Sequence, residues 1–138
     1  MEDSRLKEIL QSCRIVAVVG LSPKEDRPSY RVASYLRAQG YRIVPVNPAV
    51  GEVLGEKAYA SLLDIPEGLK VDIVDVFRKS QDVPPIAEEA VRLGAKVLWL
   101  QEGIVNEEAA RRAADAGLEV VQDKCMLKEH RRLLGSAG

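Results

Sequence analysis

The sequence predicts an α/β protein, a doubly wound parallel sheet of about five strands with helices on both faces. Three observations predict it. Short apolar runs rich in Val, Ile and Leu recur at 15–19, 41–46, 71–77, 96–100 and 118–122. Stretches with apolar residues at helical spacing lie between them, and the links are only a few residues long. Strand alternating with helix across short links demands parallel strands and right-handed crossovers. Parallel strands are covered on both faces, so they read as continuous apolar runs.

The elements follow in order. Leu6, Ile9 and Leu10 share one face of a helix over residues 3–12. The run Ile15–Val19 is the first strand, and Gly20 then turns the chain sharply. Pro23 and Pro28 punctuate a polar loop, and Ser29 is expected to cap a helix over Tyr30–Gln39. Val32, Ala33 and Leu36 face inward from that helix, and Gly40 ends it. Tyr41–Val46 is the second strand and runs into Asn47-Pro48. Residues 49–70 are less regular, with Gly51 and Gly55 flanking Val53-Leu54 and one helical turn expected within Tyr59–Ile65.

The third strand, Val71–Phe77, is interrupted by Asp72 and Asp75, a pattern that argues less strongly for full burial. Asp82 can cap a helix over Pro84–Leu93 whose apolar stripe is Ile86, Ala87, Ala90 and Val91. After Gly94 comes the fourth strand, Lys96–Leu100, then Gln101-Glu102-Gly103. Asn106 caps the next helix, where Glu107 and Glu108 suit the positive end of the helix dipole. Its buried side is built of Ala109, Ala110, Ala113 and Ala114. Gly117, the strand Leu118–Gln122 and a last helix over Met126–Leu134 complete the chain.

At 138 residues the chain reads as one domain, 1–138, long enough for a single core. Its 46% hydrophobic and 30% charged residues are those of a globular protein. A net charge of −1 argues against nucleic acid as a partner. No apolar run has the ~20 residues that a membrane span needs, and no signal-peptide pattern opens the chain. Cys13 and Cys125 form no CxxC pair and cannot alone build a zinc site, so reduced thiols and a cytoplasmic location are expected.

The stretch 14–30 carries the functional signal. A buried strand, a Gly turn and a helix N-terminus are the parts of a nucleotide-phosphate site, because free N–H groups and the helix dipole attract anions. A dinucleotide fingerprint requires G-x-G-x-x-G and an acidic residue about 20 residues on. Here only Gly20 is present, and the second strand ends in Val46-Asn47-Pro48 without a carboxylate. NAD recognition is missing. In a doubly wound sheet the ligand lies beyond the carboxyl ends of the strands, near the switch in strand order. The loops sent there are 20–29, 47–51, 77–82, 101–106 and 122–125.

Val19-Gly20-Leu21-Ser22, Val46-Asn47-Pro48, Val83-Pro84-Pro85, Leu100-Gln101-Glu102-Gly103-Ile104 and Asp123-Lys124-Cys125-Met126, in that order and spacing, resemble the CoA-binding domain family. The family includes small stand-alone bacterial proteins and the domain that opens the α subunit of succinyl-CoA synthetase. The resemblance covers residues 5–132 and implies a Rossmann-like fold that binds coenzyme A, or an acyl-CoA, across the strand ends. It maps the phosphate loop onto Gly20, Leu21, Ser22 and Pro23, and a second ligand contact onto Leu100, Gln101 and Glu102. The synthetase's lysine after the second strand has no counterpart, since Ala49-Val50-Gly51 stands there. Its phosphohistidine domain is also missing, so ligase activity is not implied.

Together the two readings nominate Gly20, Leu21, Ser22, Pro23, Lys24, Arg27, Ser29, Tyr30, Asn47, Pro48, Phe77, Arg78, Gln101, Glu102 and Gly103 as ligand-binding residues. Against each stands a plainer role: a strand-to-helix turn for Gly20 and Ser22, solvated charge for Arg27, Arg78 and Lys79, a strand end for Asn47-Pro48. Cys125, near a helix start, invites a nucleophile reading, but a buried or half-buried structural thiol is the expectation. His130, among Arg131 and Arg132, is expected at the surface. Asp72 with Asp75, and Glu107 with Glu108, are read as strand and cap residues. The leading expectation is a CoA-binding module without chemistry of its own, a sensor or a partner subunit of another protein. An acyl-CoA enzyme using Cys125 and an NAD(P)-binding regulatory protein remain as alternatives.

Overall fold

The computed structural model describes residues 1–135. Five parallel strands form one sheet: β1 (Ile15–Val19), β2 (Arg42–Val46), β5 (Ile73–Val76), β6 (Val97–Leu100) and β7 (Glu119–Val121). The order across the sheet is β2-β1-β5-β6-β7. The chain first steps outward from β1 to β2 and then crosses back to β5, so the order reverses between β1 and β5. At that reversal the loops leaving β1 and β5 diverge to opposite faces and open a crevice.

The register follows from the apolar runs. Val18 lies opposite Pro45 on one side and Asp75 on the other, and Asp75 lies opposite Trp99. Pro45 has no N–H to give, and β2 is the strand at the sheet's edge, where that is tolerated. Helices α1 (Asp3–Ser12), α2 (Pro28–Ala38) and α5 (Met126–Leu134) cover one face, and α3 (Val83–Leu93) with α4 (Glu107–Asp115) covers the other. Leu6, Ile9, Val16, Val18, Leu36, Trp99 and Met126 meet in the first layer. Ala17, Val44, Val74, Leu98, Ala87 and Ala113 meet in the second. Ala87 and Ala90 of α3 and Ala109 and Ala113 of α4 are buried in this layer, where the two helices pack against each other.

Helices α1 and α5 and the Asn106 cap stand where the sequence puts them. The Asn106 side chain accepts the Ala109 N–H at 3.0 Å. Other expectations are corrected. Ser29 is not the cap of α2: Arg27 holds that position, Pro28 is the first helical residue, and Ser29 lies inside the first turn. Pro28 fixes φ near its helical value and has no N–H to satisfy, so the helix starts there. Asp82 sits at the cap position of α3, but its side chain makes no capping bond. The region 49–70 holds a hairpin that the sequence did not announce, β3 (Glu52–Val53) against β4 (Glu56–Lys57), turning at Leu54 and Gly55 with φ of 55° and 76°.

His130 is buried, not on the surface. It is 6% exposed, and its Nδ1 shares a 2.8 Å hydrogen bond with the Tyr35 hydroxyl. Met126 and His130 are one helical turn apart, so they share the inward face of α5 while Arg131 and Arg132 turn outward. The third-strand acids are also buried more deeply than their pattern suggests. Asp72 accepts the N–H groups of Arg14 and Ile15 at 2.9 and 3.0 Å, which ties the start of β5 to the start of β1.

Candidate functional site

The chain turns at Gly20 with φ of 88°. A side chain there would stand 2.9 Å from the Phe77 carbonyl oxygen and 3.3 Å from Arg78 Nε. Only glycine lets the loop after β1 approach the loop after β5 this closely. The loop is then held by its own hydroxyls. Ser29 Oγ accepts the Ser22 N–H at 3.0 Å, and Ser22 Oγ accepts the Lys24 N–H at 3.1 Å. Ser29 is therefore a strut between the loop and α2, and this role follows from its position inside the first turn.

The start of α2 is open to an anion. Pro28 has no N–H, and the first bond closing the helix runs from the Arg31 N–H to the Arg27 carbonyl at 3.1 Å. Neither the Ser29 nor the Tyr30 N–H reaches a backbone carbonyl, the usual state of first-turn donors. Beside them Gly20, Ser22, Lys24, Arg27, Pro28, Ser29 and Phe77 line a cleft of about 440 Å³. Lys24, Arg27, Arg78 and Lys79 enter none of the ion pairs among the described residues. Four uncommitted cations thus belong to the two loops that meet at the crevice.

A second, larger groove of about 820 Å³ lies between α2 and α5 and shares Pro28 with the first. Tyr30, Tyr35, Glu102, Cys125 and Leu127 line it. Cys125 is half-buried, as expected, and stands at the cap position of α5. Lys128 closes one side through a pair with Glu102 at 2.9 Å, and Arg131 lies 5.0 Å over the Tyr35 ring.

The nominated residues thus divide. Gly20, Ser22, Lys24, Arg27, Ser29 and Phe77 share the cleft, with Arg78 against Gly20. Tyr30 and Glu102 belong to the groove. The Leu21 side chain is wholly buried, and its carbonyl accepts the Asn47 amide at 3.0 Å. Asn47 also accepts the Ala49 N–H at 2.9 Å, so it fastens the loops after β1 and β2 together. Pro23 and Pro48 are exposed and line neither space. Gly103 donates to Asp123 at 2.6 Å, and Gln101 turns down into the protein.

Residues 14–131 match the family described as CoA binding domain. The chain belongs to that family. An uncharacterized protein of Bacillus subtilis, YneT, is 45% identical over 92% of this chain and 93% of its own length. The fold of a hypothetical protein from Pyrococcus horikoshii superposes with a TM-score of 0.94 at 44% identity, covering 98% of this chain and 94% of that one. An ADP-forming acetate–CoA ligase of Archaeoglobus fulgidus is 31% identical over 71% of this chain, which spans 15% of the ligase.

Two features of this CoA binding domain have functional potential beyond the nominated residues. One is the α2–α5 groove, whose walls come from helices remote in sequence. The other is Asp75. Its side chain is completely buried, Oδ1 accepts the Gln101 Nε2 proton at 2.5 Å, and Oδ2 has no partner among the described residues. Burial pushes its carboxyl up to about 7, although the Gln101 hydrogen bond acts in the opposite direction. An acidic residue inside an apolar strand was the available signal. Among the described residues no helix is long and apolar enough to cross a membrane, and no three His, Cys, Asp or Glu side chains are grouped to hold a metal.

Proposed function

We propose that this domain binds coenzyme A or an acyl-CoA across the carboxyl ends of its strands and performs no chemistry of its own. The phosphates lie in the cleft between the loop 20–29 and Phe77, and the rest of the ligand crosses toward the loop 101–106. One observation carries the reading. An open helix start, a glycine-built close approach and unpaired Lys24, Arg27 and Arg78 meet at the switch in strand order. Membership of the CoA binding domain family supports coenzyme A as the ligand. The role is that of a sensor or of a CoA-carrying partner for another protein, in the cytoplasm.

That no chemistry is done here is favoured by the state of the candidate base. The one histidine, His130, is buried and bonded to Tyr35, so it is engaged in structure instead of activating Cys125. The test is mass spectrometry of small molecules released from protein purified under native conditions. A CoA species supports the reading, and a nicotinamide nucleotide overturns it.

A further inference from the structure

We propose that Asp75 makes anion binding at the crevice proton-linked: a phosphate-bearing ligand binds with uptake of a proton by the Asp75 carboxyl beneath it. The inference rests on the CoA reading above and adds its regulation.

The geometry is the starting point. Asp75 lies on β5 beside Val18 of β1 and Trp99 of β6. Gly20, Phe77 and Gln101 each stand two residues further on, so the Asp75 backbone lies about 7 Å below these residues along the strands at ~3.3 Å per residue. Asp75 is linked to them from both sides. Val76 joins it to Phe77, whose carbonyl abuts Gly20. Its hydrogen bond to Gln101 joins it to the start of the loop 101–106, where the Gln101 carbonyl accepts the Ile104 N–H at 2.9 Å.

No cation offsets a charge at this position. Among the described residues, the titratable side chains packed into the core on Asp75's face of the sheet are Cys13 of α1, Tyr30 and Tyr35 of α2, Tyr41 before β2, Cys125 at the cap of α5, and His130, while Arg14 and Arg131 stack on Tyr41 and Tyr35 and Glu129 pairs with Lys124 and Arg132. Burial holds His130 below the usual imidazole range, so it is neutral at neutral pH. None of these groups hydrogen-bonds Asp75, whose only polar partner among the described residues is Gln101. A buried carboxylate with one donor and one empty oxygen is costly, so a proton is held on it up to about neutral pH. Phosphate charge arriving overhead raises that cost, and the proton is retained at higher pH. By reciprocity, ionised Asp75 weakens the anion. A unit charge ~10 Å from a phosphate through protein changes affinity by about 10-fold.

Calorimetry with dephospho-CoA tests this, because a pyrophosphate diester lacks the phosphomonoester that itself titrates near pH ~6. The dissociation constant of the unaltered protein is expected to rise about 5-fold between pH ~6 and ~8, approaching the full ~10-fold only at higher pH. In Asp75→Asn, which keeps shape and removes the titration, the same profile is expected to be flat within about twofold. Near neutral pH the unaltered protein is also expected to take up a fraction of a proton on binding, read by repeating the titration in buffers of different ionisation enthalpy. That reading stands even where the variant does not fold. Binding with equal pH profiles in both proteins, or without proton uptake, overturns the inference alone. No binding of CoA or dephospho-CoA at any pH overturns it together with the CoA reading.

Discussion

The Phe77 carbonyl oxygen stands 2.9 Å from the point where a side chain on Gly20 would begin. This contact sets the width of the crevice between the loops after β1 and β5. It also combines with a backbone φ of 88°, which residues with a Cβ avoid. Gly20→Ala is therefore expected to destabilise the fold by about 2–3 kcal/mol. For a chain of this size that lowers the melting temperature by roughly 6–12 °C. Gly103→Ala, also at positive φ but with open space around it, is expected to cost less.

Arg27 stands at the cap position of α2 and in the cleft, without an ion-pair partner. Charge-assisted bonds to phosphate are worth ~1.5–3 kcal/mol each. Arg27→Ala is expected to weaken CoA by about 10-fold or more. A smaller loss with dephospho-CoA assigns Arg27 to the 3′-phosphate, and equal losses assign it to the pyrophosphate. Unchanged affinity at low salt makes it solvated charge only.

Asp75 gives stability a pH dependence opposite to that of most carboxylates. Its folded value is about 7 and the ordinary value is 3.8. Between the two, the unfolded chain binds fewer protons than the folded one, so stability falls as pH rises through that window and levels off above it. Asp75→Asn is expected to be more stable than the unaltered protein at pH ~8, by on the order of a few kcal/mol, and to match it at pH ~4. Urea unfolding at both pH values reads the difference. A variant that is less stable at pH ~8 shows that the carboxylate is needed where it lies.

His130 acts in the other direction. Burial lowers its folded value below 6.5, so the unfolded chain takes up the proton first. The stability it contributes is complete above pH ~6.5 and is lost as pH falls through the folded value. His130→Gln, which can still accept the Tyr35 hydroxyl, is expected to lose less stability than the unaltered protein between pH ~6.5 and ~5. Identical acid limbs in the two proteins contradict the buried, neutral state.

Most of the fold was legible in the sequence because parallel strands and their helices obey simple periodicities. Ile15–Val19 and Met126–Leu134 announce themselves by continuous apolar character and by 3.6-residue spacing. The failures have physical causes. Ser29 has a capping side chain, but Pro28 starts the helix two residues before Tyr30 and leaves Ser29 to brace Ser22. Leu54 takes a positive φ with no sign of it in its type, so the hairpin at 52–57 was hidden. His130 has charged neighbours that suggest the surface, but its one-turn spacing from Met126 puts it on the inward face of α5. The phosphate loop of the candidate site could be read from one continuous segment. The α2–α5 groove and the Asp75–Gln101 pair could not, because each is made by residues far apart in the chain.

The central claim is that the crevice at Gly20 takes coenzyme A, and thermal unfolding with added nucleotides tests it most directly. A ligand at 100 times its dissociation constant stabilises the folded state by ~2.7 kcal/mol, well within the range that a melting curve resolves. A clear upward shift is expected with CoA and none with NAD or NADP. No shift at millimolar CoA, or a shift with a nicotinamide nucleotide in its place, contradicts it.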